Sequence, residues 1–261
     1  MHEYFEMVRS SERNAACDTD NAFAKDSLGI RAPAMASLLS KAVESLAQMA
    51  SCAWGCRGKD HTIENLLRRL VNLALGARNL AWAGYYDEAL LLIRSGAEVT
   101  NLLQLFSVQP DREPAWRAAP ESKDFTPIRV RLAIEAAGSS PFVHKDRYGA
   151  LCKVAAHATH DFALTAHEPT EKPITRVGPW FAVPGVLLVL GEILAIVQPC
   201  LTVAGGLTQQ STDRQEALNH LAMELEALRP PITIENYRQS LAFVAAAAQQ
   251  GDAPDGAARR R

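Results

Sequence analysis

Four polar residues follow one face of a segment that is otherwise strongly apolar. The segment DEALLLIRSGAEVTNLLQLF begins at Asp87, and Arg94, Glu98 and Asn101 follow Asp87 at offsets of seven, four and three. Residues at these spacings share one face of an α-helix, and Arg94 and Glu98 are placed for an ion pair within the helix. The stripe is either solvated or, because leucines occupy the other directions, turned toward an internal cleft. Both interpretations stay open at this point.

A second polar stripe lies some fifty residues further along the chain. Asp146, Lys153, His157 and His160 follow one another at offsets of seven, four and three. Histidine changes protonation near neutral pH, so two histidines and a lysine are the groups needed to deprotonate a ribose 2′-hydroxyl, protonate a leaving oxygen and stabilise a phosphorane. The alternative is structural, with His157 bonded to the loop that follows its own helix.

The most specific prediction joins the two stripes. We expect Glu98 and His157 to meet across two helices, with Arg94 beside Glu98. A carboxylate and an imidazole on largely apolar helices are unfavourable to bury singly, so burial favours their pairing.

Metal binding is a further interpretation of the same residues. His157, His160 and Asp161, with Glu98 or Cys152, supply enough ligands for an ion, although neither the di-iron Glu-x-x-His pair nor H-E-x-x-H is present. Cys52 and Cys56 have no second pair at zinc-finger spacing and are interpreted as small buried residues. The sequence contains no phosphate loop, dinucleotide fingerprint or nucleophile elbow, so no cofactor is expected.

Two strings of the sequence resemble a set of bacterial all-helical families. YYDEALLLIRSGAEVTNLLQLF and the later RYGALCKVAAHATH match an RSxxE helix and a Y-x-x-L-[SC]-x-x-x-x-H helix, over roughly residues 85–200. The motif residues are Arg94, Ser95, Glu98, Tyr148, Leu151, Cys152 and His157. These families are similar in layout to HEPN domains, helical bundles that include ribonuclease toxins and phage-defence proteins. Active HEPN members place an arginine shortly before the histidine, where this chain has Lys153.

The elements that must position these residues are helices joined by short and long loops. Apolar residues recur at three- and four-residue spacing, and no alternation typical of strands persists. The predicted helices span about residues 33–54, 62–83, 87–106, 128–137, 145–164, 184–197, 212–228 and 234–249. A flexible N-terminal arm (1–30) precedes the bundle domain (31–250), and a disordered basic tail (251–261) follows it. We therefore predict an all-α fold, a single bundle of about six to eight helices with a HEPN-like core.

Composition and charge narrow the classes of function. Of the 261 residues 48% are hydrophobic and 21% charged, which suits a globular core, and the net charge of −2 does not suit a DNA-binding surface. The apolar run from Trp180 to Leu207 carries Glu192 at its centre and Pro199 near its end, so we interpret it as a buried helix rather than a membrane span. Without an apolar leader, and with five irregularly spaced cysteines, the chain is expected to be cytoplasmic.

Three functions follow from these observations. The first is a non-catalytic interaction scaffold in a bacterial stress or defence setting, acting through a protein partner or by self-association as a homodimer. The second is a HEPN-like, metal-independent ribonuclease with Arg94, Glu98, Lys153 and His157 in catalysis, Asn101, Tyr148 and His160 in binding, and RNA as partner. The third is a metal-binding bundle that uses His157, His160 and Asp161. None of them involves a membrane or specific DNA binding.

Overall fold

A computed structural model describes residues 2–25, 32–55, 60–156, 178–230 and 232–234. Within these residues the chain is helical and contains no β-strand, so the all-α prediction is confirmed. In the described part of the chain, nine α-helices are accompanied by a 3-10 turn (Lys123–Phe125) and a π-helical turn (Cys152–Ala156). The helices are α1 (His2–Ala24), α2 (Ala32–Ala50), α3 (Thr62–Trp82), α4 (Tyr86–Val108), α5 (Arg112–Ala118), α6 (Pro127–Ala136), α7 (Lys145–Leu151), α8 (Val183–Leu207) and α9 (Thr212–Ala227).

Helices α3 and α4 form a helical hairpin about a glycine. Gly84 has a φ of +88°, and a Cβ atom there would lie 2.6 Å from the backbone nitrogen of Trp180. Both constraints favour glycine, which adopts positive φ without steric conflict. The tight joint therefore returns the chain antiparallel and aligns the stripe of α4 with the rest of the bundle.

The centre of the bundle is α8, which packs against α2, α3, α4 and α9. It is the one helix in the described part of the chain that is long and apolar enough to span a membrane, and 78% of its most apolar 18-residue window is buried by the other helices. Close approach of α4 depends on Gly96, where a Cβ atom would lie 2.6 Å from Cδ1 of Ile196. This burial is what a core helix of a soluble protein shows.

A buried ion pair connects α7 to α8. Nε and Nη2 of Arg147 donate to the two carboxylate oxygens of Glu192 at 2.9 and 3.0 Å. Glu192 is 1% exposed and also accepts the backbone N–H of Ile234 at 3.0 Å. The forked guanidinium matches the carboxylate in two parallel hydrogen bonds, and this geometry compensates the loss of solvent around both charges.

The structure differs from the sequence-based boundaries in four places. Residues 2–24, expected as a loose arm, form α1, because Phe23 packs against Trp82 with ring centroids 4.9 Å apart and the indole of Trp82 donates to Asp20. The long loop before α6 contains the short helix α5, which the sequence analysis did not predict. Helix α8 continues past Val197 through Pro199, because the buried residues Cys200, Leu201 and Ala204 that follow it stabilise the continued helix against the effect of the proline.

The fourth difference concerns the helix predicted for 145–164. Helix α7 ends at Leu151 and a π-helical turn follows, so the α-helical hydrogen bonding stops earlier than the periodicity predicts. The remainder of that helix lies outside the described residues. The tail at 251–261 and nearly all of the helix predicted for 234–249 also lie outside them.

Breaking the buried ion pair should destabilise the fold strongly. Glu192→Ala should lower the free energy of unfolding by about 3–5 kcal/mol, because Arg147 loses its buried carboxylate. Replacing both partners, Arg147→Met with Glu192→Leu, should recover most of that loss. Urea unfolding followed by circular dichroism measures both changes.

The matched control is Glu224→Ala. Glu224 forms an exposed pair with His220 on α9, and its loss should change the free energy of unfolding by less than about 0.5 kcal/mol. Equal losses at Glu192 and Glu224 would contradict a stabilising role for the buried pair.

Candidate functional site

Four of the motif residues meet between α4 and α7. The guanidinium of Arg94 donates from Nε to Sγ of Cys152 at 3.2 Å and from Nη2 to the hydroxyl of Tyr148 at 2.9 Å. The hydroxyl of Tyr148 donates to Oε1 of Glu98 at 2.5 Å, and the same oxygen lies 3.1 Å from Nη2 of Arg94. Arg94, Glu98, Tyr148 and Cys152 therefore form one hydrogen-bonded network, called here the polar network.

The environment of the polar network keeps the Tyr148 phenol protonated. Burial raises the pKa of Tyr148 well above its ordinary value of 10, and the hydrogen bond to the Glu98 carboxylate raises this pKa further. The hydrogen bond to Cys152 is the main cause that raises the pKa of Arg94. At neutral pH Tyr148 is thus a donor to Glu98 and not a general base.

Two amides on α4 hold the segment that leads into α7. Asn101 donates to the carbonyl of Val143 at 2.8 Å and accepts from its N–H at 2.9 Å. Gln104 donates to the carbonyl of Ser140 and accepts from the N–H of Phe142, both at 2.8 Å. Each side-chain amide thus bonds both a backbone N–H and a backbone carbonyl, as a neighbouring β-strand would. They set where α7 begins and so bring Tyr148 to Arg94.

Two adjacent cavities flank Tyr148. The larger cavity, of about 820 Å³, lies between α6 and α7 and is lined by residues that include Pro127, Ile128, Arg131, Lys145 and Lys153. The smaller cavity, of about 280 Å³, is lined by α3, α4 and α6 residues that include Glu98 and Asn101. Tyr148 and Pro127 line both cavities, so the polar network forms part of the wall between them.

Among the described residues that line the larger cavity, Arg131 is the one buried cation. Its side chain stacks over the ring of Tyr148, with Cζ 5.3 Å from the ring centroid, and Arg94 lies 5.4 Å from the same centroid. Arg131 is only 7% exposed, yet its Nη1 has no hydrogen-bond partner among the residues that the structure describes. A buried guanidinium nitrogen without an acceptor is unfavourable, so Arg131 contributes a positive charge to the cavity wall that its own hydrogen bonds only partly compensate.

The structure brings some of the sequence-predicted residues together and places others apart. Arg94, Glu98 and Tyr148 come together in the polar network, while both ends of the Asn101 amide hold Val143. Lys153 is exposed on the wall of the larger cavity. Residues His157, His160 and Asp161 lie outside the described residues, so the predicted Glu98–His157 pair stays a prediction.

Arg131 was not identified from the sequence. It lies on the inward face of α6 together with Val130 and Ile134, which are also buried. Arg131 shares the helix face of Ile134, three residues further on. A cation on an apolar helix face indicates that its charge is turned toward the core. That signal is present in RVRLAIEA, but arginine side chains commonly extend from such a face to solvent, and local sequence does not separate the two cases.

No protein-family model, no curated protein and no solved structure matches this chain. The inferences on function therefore depend on the geometry of the polar network and of the two cavities, together with the resemblance of the two motifs.

Removing the Tyr148 hydroxyl should weaken the fold in a pH-dependent way. Tyr148→Phe should lower the free energy of unfolding by about 1–2 kcal/mol near neutral pH, because Arg94 and Glu98 each lose a hydrogen bond. The pKa of Tyr148 is raised in the folded state, so its stabilising contribution is complete below pH 10 and is lost as the pH rises above 10. The difference between wild type and variant should therefore shrink above pH 10.

Urea unfolding over a series of pH values measures this difference. Tyr4→Phe is the control, since Tyr4 is 51% exposed on α1, and at neutral pH it should change the free energy of unfolding by less than about 0.5 kcal/mol. A difference for Tyr148→Phe that grows above pH 10 would contradict the proposed role of the phenol.

Proposed function

We propose that this protein is a non-catalytic interaction protein whose larger cavity binds an acidic, partly apolar segment of a protein partner. The observation that carries the proposal is Arg131, a buried guanidinium that lines the cavity and has no acceptor for Nη1 in the described part of the chain. Arginine is permanently charged and binds carboxylates through two parallel hydrogen bonds. A carboxylate in the cavity would balance the charge of the Arg131 guanidinium in the cavity wall.

The charge around the cavity favours an anion. Arg94, Arg131, Lys145 and Lys153 contribute four cations to the polar network and the cavity wall, whereas Glu98 and Asp146 contribute two carboxylates. Clustered cations beside low-dielectric walls attract anionic groups from solution.

The apolar part of the wall favours a peptide over a nucleic acid. Pro127 and Ile128 line the cavity, and Ile128 and Leu132, one helical turn apart on α6, are 59% and 51% exposed. A peptide that places an acidic side chain near aliphatic ones matches cations and exposed apolar groups together. Phosphate backbones are bound mainly by basic surfaces, and the net charge of −2 does not suit that mode.

The occupied state of the polar network favours binding over catalysis. Oε1 of Glu98 already accepts from Tyr148 and contacts Arg94, and Nε of Arg94 donates to Cys152. A general base needs an oxygen or nitrogen placed toward substrate rather than toward its neighbours. The HEPN-like ribonuclease in a defence setting rests on the motif resemblance and on His157, and it remains the alternative proposal.

Binding of a defined peptide tests the proposal. Random peptides displayed on phage would be selected on wild-type protein, and the recovered sequences should be enriched in Asp or Glu next to aliphatic residues. Arg131→Gln should weaken these peptides at least tenfold, which corresponds to about 1.4 kcal/mol, because a charge-assisted hydrogen bond is lost. Isothermal titration calorimetry of the best peptide measures the change.

The control variant is Arg78→Gln. Arg78 also lies over an aromatic ring, 4.1 Å from the centroid of Trp82, but it is exposed on α3, away from the larger cavity. Peptides that bind wild type and Arg131→Gln equally well would overturn the proposal.

A second experiment separates binding from ribonuclease activity. Purified wild-type protein should leave a labelled single-stranded RNA intact, and its overproduction should leave growth and bulk RNA unchanged. RNA cleavage that disappears in both Arg94→Gln and His157→Ala would replace the binding proposal with the ribonuclease.

A further inference from the structure

Three potential metal ligands converge where α2 is connected to α3, in a region separate from the polar network. Sγ of Cys52 lies 3.4 Å from Nδ1 of His61, and one carboxylate oxygen of Glu64 completes a group whose three atoms lie within 4.8 Å of one another. Cys52 follows the end of α2, His61 directly precedes α3, and Glu64 lies in the first turn of α3. Glu64 is only 4% exposed.

The backbone directs two of these side chains into the same space. Cys52 has a φ of +59° and His61 a φ of +50°, and they are two of three non-glycine residues with positive φ in the described part of the chain. Residues with side chains adopt this left-handed conformation infrequently, and it persists where surrounding interactions hold it. The neighbouring Asp60 pairs with Arg117 and is thereby turned to another partner.

We propose that Cys52, His61 and Glu64 bind a zinc ion. Tetrahedral zinc, with bonds of about 2.3 Å to sulfur and 2.0–2.1 Å to nitrogen, places these two ligand atoms about 3.6 Å apart, close to the observed spacing. A set with one sulfur, one nitrogen and one oxygen suits zinc, whereas calcium and magnesium select oxygen ligands. On binding, the Cys52 thiol loses its proton to solvent and the thiolate coordinates the ion.

The ion would link the end of helix α2 to the start of helix α3. Ligands on both sides of the connection fix the end of α2 against the first turn of α3, and α3 in turn packs against α4 and α8. Zinc would add a positive charge next to the Glu64 carboxylate, which is 4% exposed. Three protein ligands leave a fourth position for water or an external ligand.

Zinc content is the first measurement. The full chain, purified without a polyhistidine tag, would be equilibrated with zinc, dialysed and analysed by mass spectrometry for metal. Wild type should retain one zinc ion per chain, and Cys52→Ser and His61→Ala should bind zinc at least tenfold more weakly. The matched controls are Cys17→Ser and His220→Ala, which replace an exposed cysteine on α1 and an exposed histidine on α9 and should retain the ion.

X-ray absorption of the wild type tests the ligands without depending on the stability of any variant. X-ray absorption of the zinc-loaded wild type should show one sulfur at about 2.3 Å together with nitrogen or oxygen neighbours at 2.0–2.2 Å. Cobalt in place of zinc should give a thiolate-to-metal charge-transfer band that Cys17→Ser retains and Cys52→Ser lacks. A folded wild type that retains no zinc, or a zinc shell without sulfur, would overturn the proposal.

Discussion

The position of α7 depends on one buried interaction, the ion pair between Arg147 and Glu192. A carboxylate in the middle of the most apolar helix is tolerable only with a charged partner that also fits its geometry, and the forked guanidinium supplies both. Through this pair α7 is held against α8, while the Asn101 and Gln104 amides hold the preceding segment against α4. Together these contacts place Tyr148, the next residue after Arg147, between two arginines.

The polar network and the larger cavity share Tyr148 but differ in their electrostatic state. In the network, Arg94 and Glu98 are partnered through the phenol, so charge is balanced within hydrogen-bond distance. Arg131, which lies 5.3 Å from the centroid of the same ring, is buried without an acceptor for Nη1 among the described residues. The polar network stabilises the contact between α4 and α7, whereas Arg131 leaves a positive charge in the cavity wall that can attract an anionic group. This division is why the proposed function is recognition rather than acid–base chemistry.

Sequence reasoning recovered what depends on local periodicity and turn chemistry. The all-α class, the hairpin joint at Gly84 and the starts of α3 and α4 follow from apolar spacing and from glycine at a tight turn. The motif resemblance selected Arg94, Glu98, Tyr148 and Cys152, which the structure brings together. Three features were not predicted as sites, because each depends on which side chains the tertiary fold brings together. They are Arg131, the Arg147–Glu192 pair and the Cys52–His61–Glu64 group. Glu192 in an apolar run indicated a buried helix rather than a membrane span, but the local sequence does not identify Arg147 as its partner.

The order of the helices along the chain decides which parts of the bundle are already synthesised when α8 emerges. An 18-residue window of α8 has a mean hydropathy of 2.2, enough by composition for a nascent segment to partition into lipid. Helices α2, α3 and α4, which cover it, precede it in the chain and leave the ribosome first. Three of the helices that cover α8 are therefore already synthesised when α8 emerges, and an acidic residue within the helix adds about 2.5–3.5 kcal/mol against insertion into a bilayer. The acid that anchors α7 in the finished fold thereby also biases the newly made helix toward protein rather than lipid.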